Sequence, residues 1–193
     1  MKKMKRNLLI VSLLFLAFGV QAQRINLQSG SMAPLKGEDV VEVVFTYEDM
    51  RVGRMTEEEY VAEKMQEEGG ERFKTGWIND RSSRFEPKFV ELFNKYAARA
   101  GIVLSPNNTQ TRYVLIINTY FTEPGYNIGI NSRPAMVSMT ATFIERGNPD
   151  KTVAVFDITN SRGSTAFDRG HRIQESYAKA GKEFGRIMRR KLR

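Results

Sequence analysis

An α+β fold is expected from this chain: a two-layer sandwich with a mostly antiparallel sheet and helices packed on one face. Three features point to it. Runs of β-branched and aromatic residues flank a turn at Gly147-Asn148-Pro149-Asp150. Two segments place apolar residues at helical spacing, one between Pro87 and Gly101 and one at the end of the chain. Short connections between the later strands call for antiparallel pairing.

The first strand is Val40 to Tyr47, with Val41, Val43, Phe45 and Tyr47 on one face. A helix from Glu57 to about Glu68 opens with a capping box, Thr56 reaching the backbone of Glu59 and Glu59 reaching back. Met55 and Tyr60 sit at the staple positions, and Gly69-Gly70 ends the helix. Residues 71 to 84 hold the only tryptophan, Trp77, among charged and small polar residues, and carry no clear element. A second helix begins near Glu86-Pro87 and buries Phe85, Phe89, Leu92, Phe93 and Tyr96. Gly101 ends it.

Ile102 to Leu104 reads as a short strand. Tyr113 to Phe121 is apolar on both faces in its first half and is expected to be central. Ala135 to Glu145 alternates Val137, Met139, Ala141 and Phe143 against Ser138, Thr140 and Thr142, one buried face and one wetter one. Lys151 to Thr159 returns beside it. The last helix runs from about Arg172 to Leu192, with Ile173, Tyr177, Ala180, Phe184, Ile187 or Met188, and Leu192 inward. Gly181 and Gly185 each cost a helix about 1 kcal/mol against alanine. Their spacing predicts close packing against the sheet or another helix.

Residues 1–22 are set apart. Lys2, Lys3, Lys5 and Arg6 precede an apolar run from Leu8 to Phe18, and Gly19-Val20-Gln21-Ala22 has the small-residue layout of a secretory cleavage site. That run falls short of the roughly 20 residues a membrane span needs. The expected organisation is a signal peptide at 1–22, a flexible N-terminal arm at 23–38 and a single α+β domain at 39–193. The expected location is periplasmic or secreted after cleavage near Ala22, with no transmembrane segment remaining. No cysteine is present, which removes disulfides, thiol chemistry and a lipid-anchored N-terminus.

The four basic residues of the leader account for half of the formal +8, leaving +4 for the remainder. That balance, without aromatics interleaved among basics, argues against nucleic acid. Arg186, Arg189, Arg190, Lys191 and Arg193 crowd the C-terminus, which suits either an anionic surface or a solvated helix end whose cations complement the dipole.

Catalytic constellations are hard to find. His171 is the sole histidine, so a histidine-based zinc site is excluded. It precedes the last helix, and a triad with Ser164 and Asp168 lacks a nucleophile elbow. Glu57, Glu58, Glu59, Glu67 and Glu68 lie in solvated helical runs, and Asp157 is a lone acid on the wetter sheet face. No cofactor and no metal is expected. The notable segment is Glu123 to Pro134, longer than the two to five residues that usually join paired strands. Tyr126, Ile128, Ile130 and Arg133 are the candidate partner-binding residues. The same loop is equally consistent with folding over a sheet edge and burying those side chains.

Glu58-Glu59-Tyr60-Val61, Phe85-Glu86-Pro87-Lys88-Phe89, Glu123-Pro124-Gly125-Tyr126-Asn127-Ile128-Gly129 and the C-terminal helix give the chain a resemblance to uncharacterised exported proteins of Bacteroidetes-type bacteria. In element order it is also similar to small periplasmic α+β envelope-assembly domains, such as the curli secretion channel subunit and the N-terminal domain of the Tol-system translocation protein. Neither resemblance carries catalytic residues across, and fold does not fix function. A well-patterned core with no catalytic constellation instead points to a non-enzymatic exported binding or assembly module of the bacterial envelope, with an envelope protein or outer-membrane component as partner. The alternatives are a carboxylate-dependent hydrolase and a carrier of an apolar ligand. The oligomeric state is left open.

Overall fold

The computed structural model describes residues 23–192, so the expected signal peptide lies outside the described residues. The chain begins with β1 (Arg24–Gly30), β2 (Val40–Thr46), β3 (Arg51–Val52) and β4 (Met55–Thr56). Three helices follow: α1 (Glu57–Glu67), α2 (Glu71–Asp80) and, after a π-helical turn at Arg81–Phe85, α3 (Glu86–Ala97). Then come β5 (Val103–Pro106), β6 (Tyr113–Glu123), β7 (Tyr126–Asn127), β8 (Ser132–Arg133), β9 (Met136–Glu145), β10 (Asn148–Arg162) and α4 (Arg169–Lys191). The fold is α+β.

The main sheet runs β1-β10-β9-β6-β2-β5. From β1 to β6 every pairing is antiparallel, and β6, β9 and β10 form the expected meander with β6 in the interior. Beyond β6 the sheet turns parallel: β2 pairs with β6 and with β5 in that sense. Parallel neighbours need a crossover, and the α1–α3 segment supplies it. One face of the sheet takes Val41 and Val43, Leu115 and Ile117, Met139, Ala141 and Phe143, Ala154, Phe156 and Ile158, all buried. The opposite face is wetter, as the alternation in β9 requires. There the Tyr120 hydroxyl donates to Asp157 Oδ1 at 2.9 Å, so the acid read as lone has a partner.

Two segments differ from expectation. Residues 24–30, read as part of a flexible arm, are an edge strand in register with β10 (Ile25 opposite Ile158, Leu27 opposite Phe156). Nearly all its side chains are exposed. It is held through backbone hydrogen bonds, which leave little apolar alternation to read.

Residues 71–84, for which no element is expected, continue helically into α3. Positions 73, 77, 81, 85, 89, 93 and 97 are four apart, and all but Arg81 are buried. Four residues of an α-helix overshoot one turn by about 40°, so a strict four-residue stripe would spiral off the core. The π-helical turn at Arg81–Phe85 winds more slowly and brings the stripe back.

α4 settles which partner its glycines face. A Cβ at Gly181 would sit 2.2 Å from Phe89 O, and one at Gly185 2.5 Å from Phe93 O. The two helices therefore touch backbone to backbone and run in the same direction. Phe184 fills the layer beneath, 5.6 Å from Phe93 and 5.2 Å from Phe156 between ring centres. Met188, rather than Ile187, is the fully buried side chain of the last turns.

Gly181→Ala and Gly185→Ala should each destabilise the fold by about 1–3 kcal/mol through overpacking. Helix propensity alone would predict a gain of about 1 kcal/mol from the same change. Urea unfolding of the two variants decides between these signs.

Candidate functional site

At its C-terminal end β6 leaves the sheet at Glu123 and the chain turns through Pro124-Gly125. Gly125 has φ of 63°, and a Cβ there would meet Arg133 O at 2.3 Å, so no other residue fits. β7 and β8 then pair, Tyr126 opposite Arg133 and Asn127 opposite Ser132. The long connection is thus a small hairpin of its own. Its tip is ordered by Ile128 N–H donating to Asn131 O at 3.0 Å and Gly129 N–H donating to Asn127 Oδ1 at 2.9 Å. Asn131 Nδ2 donates to the Tyr126 hydroxyl at 3.1 Å.

The hairpin is lashed to the loop that leads into α4. Asn127 Nδ2 donates to Thr165 O at 2.5 Å. Arg172, in the first turns of α4 and buried, gives its guanidinium to four backbone carbonyls. Two belong to the hairpin entry, Pro124 O at 3.1 Å and Gly125 O at 3.1 Å, and two to the loop, Ala166 O at 2.7 Å and Phe167 O at 2.8 Å. A planar cation with a fixed fork of donors suits this task.

The candidate residues lie outside this clasp and point to solvent: Tyr126 is 41 %, Ile128 66 % and Ile130 97 % exposed. Arg133 is exposed beside them and reaches Glu123 at 3.4 Å. Phe167, at 76 % exposure, is joined to the same tip and was missed. Its only sequence signal is a large aromatic in a Gly-Ser-Thr-Ala run just before a helix cap. Tyr126, Ile128 and Ile130 are exposed on the hairpin and Phe167 on the loop tied to it by Asn127.

Beside the tip lies an open cleft of about 800 Å³ between α1, α2, the hairpin and the start of α4. Its acids are all engaged. Arg169 donates to Glu68 at 2.8 Å and lies over the Phe73 ring at 4.4 Å. Arg84 bridges Asp80 at 3.2 Å and Asp168 at 2.7 Å. Asp168 caps α4 by accepting from His171 N–H at 2.6 Å, so His171 lies inside the first turn rather than before the helix, and its side chain is exposed. Trp77 is buried behind the cleft, its indole N–H donating to Glu57, which also pairs with Arg81. Glu57, expected to be solvated, is therefore a structural acceptor.

A second polar group lies deeper. The Tyr47 hydroxyl donates to Glu86 Oε1 at 3.0 Å, and the hydroxyls of Tyr177 and Thr119 are 2.7 Å apart. Burial raises the pKa of Glu86 and pushes that of Tyr177 up to about 12. Both tyrosines stay protonated at neutral pH and act as fixed donors and acceptors.

No protein-family model and no curated protein matches the chain. Among solved structures it is similar to the PelC dodecamer from Paraburkholderia phytofirmans, with 14 % identity over 89 % of this chain and 99 % of that one, at a TM-score of 0.44. A point variant of the same dodecamer gives 15 % identity, 83 % and 95 % coverage and a TM-score of 0.41.

Replacing Arg172 with Met strands four carbonyls and should cost about 3 kcal/mol in urea unfolding. Amide exchange should quicken in residues 163–168 while β9 and β10 stay protected. A second expectation concerns pH. Burial opposes ionisation of Asp168, but the His171 N–H and Arg84 outweigh it and hold the carboxyl below its usual value. A depressed folded-state pKa contributes stability above the unfolded value, and that contribution is lost as pH falls through the folded one. The stability gap between the wild type and Asp168→Ala should therefore be full at pH 7 and close below about pH 3.9. Thermal unfolding across pH measures it.

Proposed function

We propose that this protein is a non-enzymatic binding or assembly module of the bacterial envelope, exported to the periplasm or beyond, and that it docks its partner on the hairpin tip. The observation that carries this reading is the exposure of Tyr126, Ile128, Ile130 and Phe167 on a frame clamped by Arg172 and Asn127. Exposed apolar groups of this kind mark contact surfaces. Holding the tip in one shape in advance lowers the ordering cost of binding. The export half of the reading rests on the basic, apolar and small-residue layout of residues 1–22. No described helix is long and apolar enough to cross a membrane.

The hydrolase alternative draws less support. Glu68, Asp80 and Asp168 line the cleft, but each is within ion-pair distance of an arginine. An apolar carrier needs an enclosed apolar chamber. The enclosed space beside Tyr47 and Tyr177 is about 10 Å³, room for one water at most.

The test is a variant with Ile128, Ile130 and Phe167 all changed to Ser, which leaves Tyr126 and its hydrogen bond to Asn131 in place. These side chains are exposed, so its unfolding midpoint should stay within about 3 °C of the wild type. After cross-linking in the native envelope, the wild type should recover a partner that the variant loses. Equal recovery by both proteins would remove the tip from the interface.

A further inference from the structure

We infer that the cleft beside the tip is a binding site for a small carboxylate carrying an apolar or aromatic group. Its volume of about 800 Å³ lies in the range of ligand sites, roughly 300–1,000 Å³. Three observations give the ligand its chemistry.

The first is charge. Where α1 hands over to α2, three cations line the cleft, Lys64, Arg72 and Arg169, with Glu68 as the carboxylate among them. Lys64 and Arg169 both reach it, at 3.6 and 2.8 Å. Arg72 has no ion pair among the described residues and is exposed. The other end is closed: Asp80 and Asp168 hold Arg84 between them. An incoming carboxylate finds its open partner at Arg72, whose fork accommodates both oxygens.

The second is Gly76. It lies inside α2, one turn beyond Arg72, and lines the cleft. A glycine there costs about 1 kcal/mol against alanine. Gly181 and Gly185 are required by the carbonyls of α3, but a Cβ at Gly76 would meet nothing within 4 Å. No packing among the described residues explains it. The bare backbone instead leaves a flat recess four residues from the open guanidinium. The third is that Phe167 and Tyr126 line the same cleft with exposed ring surface. The carboxylate meets Arg72, and the apolar group lies in the recess at Gly76 against these rings. A free small acid and the C-terminal residue of another chain share this chemistry.

The experiment is an amide NMR titration of the protein with N-acetyl-L-phenylalanine, its carboxamide, and the peptide acetyl-Gly-Ala-Phe with a free C-terminus. The free acid should shift the Gly76 amide and Trp77 indole signals to saturation. The carboxamide should bind about tenfold more weakly, the loss of one charge-assisted contact. Arg72→Ala should reproduce that loss. Gly76→Leu should abolish binding while the unfolding midpoint holds or rises, which separates blocking from unfolding. Ile128→Ser/Ile130→Ser should bind the acid unchanged, so the fate of the docking proposal is read separately. Tighter binding of the peptide identifies a chain terminus as the ligand, and equal binding a free acid. Absence of saturable shifts with either free carboxylate, or equal shifts with the carboxamide, would overturn the assignment.

Discussion

The backbone-to-backbone contact of α4 with α3 is the constraint on which the rest of the molecule rests. At Gly181 and Gly185 the two helices meet with no side chain between them. That proximity lets Phe184 reach both Phe93 and the Phe143–Phe156 pair of the sheet. It also fixes the height at which α4 crosses the sheet, and so where its N-terminus emerges. Gly170, at that N-terminus, faces side chains instead: a Cβ there would meet Asp80 Oδ2 at 2.4 Å and an Arg84 guanidinium nitrogen at 2.5 Å. One helix is thus pressed along the rod from the end of α2 through α3, and the π-helical turn keeps the rod's apolar stripe facing the core.

Arg172 converts that placement into a surface. Carried on α4, its guanidinium reaches four carbonyls from two separate segments. Burying a cation without a facing carboxylate is costly, and here carbonyl dipoles offset the cost. The arrangement makes the hairpin, the loop through Phe167 and the start of α4 one body. A strand connection of this length is ordinarily mobile. Here its tip has internal hydrogen bonds and an external anchor, so the apolar residues are held out rather than folded down.

Much of the architecture was legible because burial writes a period into the sequence. Phe85, Phe89 and Phe93 announced α3, and Val137 to Phe143 announced the two faces of β9. What escaped reading had too few apolar positions to show such a period. β1 is joined mainly by its backbone, with Ile25 alone packed on the core. α2 starts at a glycine without a side-chain cap and carries only Phe73 and Trp77 inward, among charges that suit a surface. The parallel pairing of β2 with β6 depends on the crossover, which no local pattern records. In the site, Tyr126, Ile128 and Ile130 were visible as apolar residues in an overlong connection. Whether they were exposed was not, because that depends on Arg172, 42 to 46 residues further along the chain and read only as the start of a helix. Phe167 was hidden for the same reason.

The glycines show most plainly where sequence stops and structure begins. Gly76, Gly181 and Gly185 are the same residue in the same secondary structure with the same propensity cost of about 1 kcal/mol. Two of them are filled by a neighbouring carbonyl, and one faces empty space. In the first case the cost is offset by the aromatic layer that close approach brings together. In the second no neighbour among the described residues offsets it. A helix that keeps such a position beside an open guanidinium and two exposed rings is weaker than its fold requires. On the ligand assignment above, the compensating contact comes from the bound acid, so the cleft, and not the core, is where this chain's stability and its use diverge.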